Sequence, residues 1–171
     1  AMDFSCKKGP IFFNDLRSGV FFDKREEEKG WDQPGFQEDE NWHKPILADR
    51  PRGKAKLCEA EPIAVVEERK PVKIWKGALA DYTPRGDVPE GLCGQTTPES
   101  GLEKEGGYIY DFGENNAGIF RLKIKGHKGQ RIDIQCGELL ENGALRYQNI
   151  YFYPDGYSQR DIYIVGSEEE E

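Results

Sequence analysis

Histidine is scarce in this sequence, with only His43 and His127 among 171 residues. Each stands alone among loop-like residues, so a histidine-based metal site or catalytic triad has little to build on. Long apolar runs are also missing, and none approaches the ~20 residues that a membrane helix needs. The N-terminus shows no basic stretch followed by an apolar core, which is the mark of an export signal. We therefore expect a soluble protein and favour the cytoplasm, although the compartment stays open.

Basic residues are outnumbered by acidic ones, 24 to 32, which gives a formal net charge of -8. An acidic chain repels phosphate backbones, so general nucleic-acid binding is not expected. The cysteines are spread along the whole chain, and no two have the close spacing of a zinc knuckle or a redox motif. We predict that all four are free structural thiols: Cys6, Cys58, Cys93 and Cys136.

Helical periodicity is nearly absent, whereas alternation of apolar and polar residues is common. The clearest case is 119–125, in which the apolar residues share one side and the basic residues the other. A glycine-bearing turn at 126–129 leads to a second alternating run, 130–136. Two such runs predict a β-hairpin with one dry side, on which Cys136 is buried.

Further strands are predicted at 19–23, 56–59, 63–67, 72–76, 108–112 and 162–165. Asn142-Gly143 and Asp155-Gly156 predict turns between strands, and a one-turn helix is predicted at 38–42. Many short strands separated by Gly and Pro predict an all-β fold, an antiparallel sandwich of jelly-roll type. Each half-dry sheet needs a partner to cover its apolar face.

Two segments do not follow the strand pattern. Residues 84–107 are rich in Gly, Pro, Thr and Glu and predict a long flexible surface loop. Ser167 and the four glutamates that follow it predict a solvated acidic tail at 167–171.

The first part of the chain carries a series of short motifs: Gly9-Pro10-Ile11, Asn14 to Gly19, Asp23-Lys24-Arg25, Gly30-Trp31-Asp32, and a later Trp42. Their order and spacing resemble the first non-catalytic β-domain of bacterial α-L-rhamnosidases. Val20 and Lys24 depart from that pattern. The resemblance places Trp31 and Trp42 at structural corners, where we expect them to pack in the core.

A second stretch, Tyr108 to Gly118, continues to Gly137-Glu138-Leu139-Leu140 and Asn142-Gly143. It is similar to the Asp-Phe-Gly-Gln-Asn-x-x-Gly signature of the same family and to the motif that follows it, with Glu114 in place of the usual glutamine. Asp161 to Ile164 is similar to a later strand of the family. The resemblance covers most of the chain apart from 84–107.

The resemblance implies that residues 1–60 are the end of a first rhamnosidase-type β-domain and residues 61–171 a second β-sandwich domain. In that family, catalysis belongs to a helical barrel that follows, where two carboxylates flank the scissile bond. The implied role is an accessory scaffold of such a glycoside hydrolase, partnered by that barrel and without catalytic residues or activity of its own. A truncated sandwich leaves an open sheet edge, which predicts self-association by edge pairing or strand exchange.

An independent carbohydrate-binding module for rhamnose-containing glycans is the alternative, and a structural remnant without a ligand is a third interpretation. Oxygen atoms that suit calcium come from Asp111, Glu114, Asn115 and Asn116, and some β-domains of the family bind rhamnose through calcium. The simpler interpretation is that Asp111 and Asn115 hydrogen-bond to the backbone of a turn. No other cofactor is predicted.

A candidate sugar-stacking surface lies later in the sequence. The side chains that would share one side of an extended strand are Tyr147, Asn149, Tyr151 and Tyr153. Aromatic rings of this kind stack on the apolar faces of sugars. The same surface could instead dock on a neighbouring domain.

Overall fold

The structure is a computed structural model that describes residues 4–15, 19–49, 52–77, 107–146 and 161–171. Within these ranges the strands are β1 (Ile11–Asp15), β2 (Gly19–Asp23), β3 (Lys73–Gly77), β4 (Gly107–Asp111), β5 (Arg131–Ile134), β6 (Leu139–Glu141), β7 (Ala144–Arg146) and β8 (Asp161–Ile164), and a 3₁₀ turn covers Lys24–Glu26. The described residues contain no α-helix, so the all-β prediction is confirmed. They likewise contain no helix that could cross a bilayer.

The chain divides into two compact units. The first comprises 1–8 with 30–70, and the second comprises 9–29 with 71–171. The predicted domain division at residue 60 stays a prediction. Four predictions lie outside the described residues: the Asp155-Gly156 turn, Cys93, the sugar-stacking surface within 147–153, and the loop at 84–107 except its last residue, which begins β4.

In the first unit, Cys6 and His43 exchange two backbone hydrogen bonds, of 2.8 and 2.9 Å. Trp42 packs edge-on against Phe36, with ring centroids 5.5 Å apart. The predicted one-turn helix at 38–42 is wrong, because Asp39 caps a turn instead. Its carboxylate accepts the Asn41 N–H at 2.8 Å, and such side-chain bonds compete with helical ones.

Two predicted strands of the first unit, 56–59 and 63–67, do not form. Leu57, Ile63 and Val66 are almost fully exposed. Strand propensity reflects packing against neighbouring side chains, and the high exposure of these three side chains shows that the described residues of the unit do not cover them. The prediction that Trp31 packs in the core is also wrong, since 60% of its surface is exposed.

The second unit is organised by a four-stranded sheet in the order β1-β2-β8-β5. β2 and β8 run parallel, and the other two pairs are antiparallel. The buried core lies on one face of this sheet, where Phe21, Ile162 and Ile164 pack together and Phe12 and Phe13 partly cover them. The sheet joins residues that are far apart in sequence, so the N-terminal β1–β2 pair depends on the C-terminal β8.

The predicted hairpin between 119–125 and 130–136 is wrong. The turn is present, with Gly129 at φ +84°, but its two arms pair with other segments. β5 pairs with β8, and Ile124 exchanges backbone hydrogen bonds with Glu171, of 3.0 and 2.9 Å. The C-terminal segment therefore supplies the partner for both arms. Cys136 lies beyond β5 and is exposed, which corrects its predicted burial.

The acidic C-terminus is not a free tail. The Glu171 carboxylate accepts hydrogen bonds from the Tyr163 hydroxyl at 2.7 Å and the Ser167 hydroxyl at 2.9 Å. Glu168 accepts the Lys128 N–H at 3.1 Å, and its other oxygen lies 3.0 Å from Nδ1 of His127. Composition alone suggested solvation, but these donors hold the segment against the turn that precedes β5.

Two smaller sheets complete the second unit. β6 and β7 form a hairpin whose turn, Asn142-Gly143, has φ values of +51° and +81°. The predicted turn is confirmed, because asparagine and glycine tolerate this left-handed conformation. β3 and β4 form an antiparallel pair in which Ile74 lies opposite Tyr110.

Candidate functional site

Asp111, the first predicted calcium ligand, ends strand β4. Its Oδ1 accepts the Gly113 N–H at 2.8 Å, and its main-chain oxygen accepts the Val72 N–H at 2.7 Å. Gly113 has φ +82°, which a residue with a Cβ rarely adopts. One carboxylate oxygen thus holds the tight turn after β4, as in the simpler interpretation of the sequence.

The other predicted calcium ligands, Glu114, Asn115 and Asn116, follow the Gly113 turn and are exposed. Calcium in proteins takes six to eight oxygen ligands. In the described part of the chain, no three His, Cys, Asp or Glu side chains are grouped closely enough to hold a metal ion. Calcium binding by Asp111 and its neighbours stays a prediction. The predicted sugar-stacking residues, Tyr147, Asn149, Tyr151 and Tyr153, lie outside the described residues.

Three of the four cysteines, Cys6, Cys58 and Cys136, are free thiols, as predicted.

Sequence reasoning missed an ion pair at the end of β2. Asp23 is 8% exposed, and its carboxylate accepts two side-chain hydrogen bonds from Arg25, at 2.8 and 2.6 Å. Burial raises the pKa of Asp23, but the hydrogen bonds and the positive charge of Arg25 outweigh that effect and lower it. The available signal was an Asp at the end of an apolar strand with an Arg two residues later.

A second pair lies on the same face of the four-stranded sheet. Arg131 donates to Asp133 at 2.7 Å, and both side chains are only about a tenth exposed. These two residues lie opposite Ile164 and Ile162 of β8, so their side chains stand beside the apolar core. The Nε of Arg131 is buried without a hydrogen-bond partner. Alternation alone would have assigned these charged residues to water.

The pKa of Asp23 determines whether this carboxylate can act as a general acid. A general acid in glycoside hydrolysis needs a carboxyl group whose pKa is raised towards neutrality. The lowered pKa of Asp23 keeps that group ionised at neutral pH. Asp23 is therefore a structural carboxylate that holds no proton for transfer at neutral pH.

The β3–β4 pair has two different faces. On one face Trp75 and Ile109 are half-buried, and the Trp75 indole donates to the Gly143 carbonyl at 2.9 Å. The opposite face is exposed. We call it the tyrosine face, and it consists of Ile74, Lys76, Tyr108 and Tyr110. Val72 and Phe112, both exposed, adjoin it in sequence just before β3 and just after β4.

Two family descriptions match this chain. Residues 1–67 match the alpha-L-rhamnosidase N-terminal domain, and residues 102–171 match the bacterial alpha-L-rhamnosidase concanavalin-like domain.

Two curated relatives are alpha-L-rhamnosidases. An alpha-L-rhamnosidase of Streptomyces avermitilis is 30% identical over 145 residues, which are 85% of this chain and 12% of that protein. An alpha-L-rhamnosidase of Formosa agariphila is 29% identical over 136 residues, which are 79% of this chain and 11% of that protein. The chain thus matches about an eighth or less of the length of these relatives.

A solved structure agrees with the sequence comparisons. The alpha-L-rhamnosidase from Dictyoglumus thermophilum superposes with a TM-score of 0.67 at 31% identity, over 95% of this chain and 15% of that one. The chain therefore belongs to the bacterial alpha-L-rhamnosidase family, of which it represents the N-terminal and concanavalin-like β-domains.

Proposed function

We propose that this chain is a non-catalytic accessory region of an alpha-L-rhamnosidase-like glycoside hydrolase and positions the catalytic domain of that enzyme. The observation that carries the proposal is the superposition on the Dictyoglumus thermophilum enzyme, which covers 95% of this chain but only 15% of the longer one. A region of that size and all-β class acts beside a catalytic domain in the same polypeptide.

The charged groups of the four-stranded sheet support a structural role. Inverting glycoside hydrolysis needs a protonated carboxyl and a carboxylate held ~6.5–9.5 Å apart. Asp23 and Asp133 each bind an arginine instead. Each arginine lies two residues from its carboxylate, so the pairs orient side chains within one stretch of chain and give these carboxylates a structural role.

Exposed apolar side chains support contact with a neighbouring domain. Ile119 and Phe120 precede the β5 turn, and Leu139 and Leu140 lie in β6, all with 47% or more of their surface exposed. Exposed large apolar side chains are one mark of a protein interface. The catalytic barrel of a parent enzyme is the partner that we propose for it.

A domain exchange tests the positioning role. The segment of the Dictyoglumus thermophilum enzyme that superposes on this chain would be replaced by this chain, and hydrolysis of an aryl α-L-rhamnoside would be measured. We expect a folded chimera that retains activity. A matched chimera with Phe21→Asp, which places a charge in the buried core, should lose activity with its fold. A folded but inactive first chimera would refute the positioning role.

Calcium-dependent sugar binding is the second candidate, and titration of the isolated chain tests it. L-rhamnose would be added with calcium and again with a chelator. Asp111 uses one carboxylate oxygen in the Gly113 turn. If the chain is an accessory region only, we expect no heat of rhamnose binding under either condition. Calcium-dependent heat would instead favour a binding module, and Glu114→Ala should then abolish it. Turnover of the aryl rhamnoside by the isolated chain would contradict the non-catalytic assignment.

A further inference from the structure

The tyrosine face is an unusual surface for a chain in which 33% of the residues are charged. It carries one charged side chain, Lys76, beside exposed apolar groups. Tyr108 is 66% exposed, Ile74 53% and Tyr110 50%. Tyrosine is enriched at protein interfaces, because its ring is apolar and its hydroxyl can remain hydrated.

We propose that the tyrosine face binds the same face of a second copy of this chain, which forms a two-fold symmetric dimer. This inference goes beyond the accessory role, since it concerns contact between copies rather than contact with a catalytic domain. It also differs from edge pairing, because the contact is made by side chains and not by backbone hydrogen bonds.

The argument for a second copy starts from self-complementarity. A two-fold interface places one patch on its own duplicate. If the axis runs across the strands at the level of the Ile74–Tyr110 pair, Ile74 opposes Ile74 of the second copy. Tyr110 then opposes Tyr110 of the second copy. The aliphatic side of each face meets the aliphatic side of the other, and the aromatic side meets the aromatic side.

The position of Lys76 selects this axis. Lys76 and Tyr108 form the next pair along the strands, so an axis across the strands sends the two lysines to opposite ends of the interface. There each ammonium group can reach water while its stem covers apolar surface near Val72 of the second copy. An axis along the strands, midway between them, would place each Lys76 over Tyr108 of the second copy. Both lysines would then lie at the same end of the interface, where their like charges oppose association.

The available area is sufficient for a weak dimer. Pairing the tyrosine face with its flanking Val72 and Phe112 would bury on the order of 1,200 Å² over both copies, judged from the size of these side chains. That area lies at the lower end of the range for specific interfaces. Small interfaces of this kind belong to weak complexes, and about 10 µM is the working dissociation constant for the test below.

A charge-exchange experiment tests the proposal. Sedimentation velocity of the whole chain, over concentrations that bracket about 10 µM, should show a monomer–dimer equilibrium. Ile74→Lys and Ile74→Glu should each weaken it by about 30-fold or more, as expected for a central interface residue. Since residue 74 opposes itself across the axis, an equimolar mixture of the two variants should restore the dimer. The matched control is Ile63→Lys, a change at a fully exposed isoleucine outside the face, which should leave dimerisation unchanged.

Other outcomes overturn the proposal. A wild-type chain that stays monomeric would mean that the face does not bind a copy of itself, and a domain of the parent enzyme would be its better occupant. A dimer that persists in both Ile74 variants would point to another surface, such as the edge of β5. Failure of the mixture to restore the dimer, with both variants folded by circular dichroism, would exclude the proposed axis.

Discussion

Replacing Ile162 by alanine removes the outer carbons of a side chain that is 1% exposed in strand β8. Its neighbours across the four-stranded sheet are Phe21 of β2 and Asp133 of β5. The cavity left behind would lie between the two ends of the sequence, because β8 joins the N-terminal strand pair to β5. Loss of packing at this position should therefore destabilise the sheet as a whole.

The expected cost follows from the burial of this residue. Truncation of a buried isoleucine to alanine costs ~2–5 kcal/mol, and the cost is smaller where the surroundings can collapse into the cavity. Phe12 and Phe13 pack against the core and are only partly buried themselves. Because they can move inward, we expect about 3 kcal/mol. With an m-value of about 2 kcal/mol per molar urea, the unfolding midpoint should fall by about 1.5 M. Ile162→Val should cost about 1 kcal/mol.

Urea unfolding followed by far-UV circular dichroism measures this difference. Ile119→Ala is the matched control, since Ile119 belongs to the same unit and is 91% exposed. Its free energy of unfolding should change by less than about 0.5 kcal/mol. Equal shifts for Ile162→Ala and Ile119→Ala would refute the assignment of Ile162 to the core, and so would a shift for Ile162→Ala below that of Ile162→Val.

Arg25→Ala should destabilise the chain by about 2 kcal/mol in the same urea assay, because it leaves the buried Asp23 carboxylate without its partner; a neutral result would contradict the structural role of the pair. The pKa values of Asp23 and Glu171 are lowered in the fold, in each case because hydrogen bonds outweigh the opposing effect of burial. Their stabilisation is full above the unfolded pKa values of about 4 and is lost as the pH falls through the lower folded values, so melting temperatures should drop below about pH 4. Burial and the hydrogen bond to Glu171 raise the pKa of Tyr163. Its contribution is present below about pH 10 and is lost as the pH rises further, which alkaline melting curves with Tyr163→Phe as the control would show. Gly143→Ala should cost about 1 kcal/mol in thermal unfolding, since Gly143 has φ +81°; an unchanged melting temperature would argue against the turn.

Local sequence determined several strands, which could be predicted from their own residues without knowledge of their partners. Strands were predicted at 19–23, 72–76, 108–112 and 162–165, and each lies within one residue of an observed strand. The Asn142-Gly143 turn was equally predictable, because few residues accept its backbone angles. The order of short motifs also pointed to the rhamnosidase family, which the comparisons confirmed.

The candidate site was only partly accessible from the sequence. The Asp111 turn could be anticipated, because an Asp two residues before a glycine commonly accepts its N–H. The buried pair of Arg131 and Asp133 could not, since alternation shows which residues share a face but not which face is covered. The tyrosine face was missed for the same reason, because Tyr108 and Tyr110 would be core residues if another sheet packed on them.

Strand pairing was decided only by the tertiary structure. The runs 119–125 and 130–136 carry the pattern of a hairpin and the turn between them, yet both pair with the C-terminal segment. A strand has two hydrogen-bonding edges, and its sequence pattern sets its apolar face without specifying which edge is used. The terminal glutamates are ordered by donors that composition does not reveal, namely the hydroxyls of Tyr163 and Ser167 and the N–H of Lys128 in the turn before β5. Local residues thus set the elements, and distant hydrogen-bond partners set how those elements are joined.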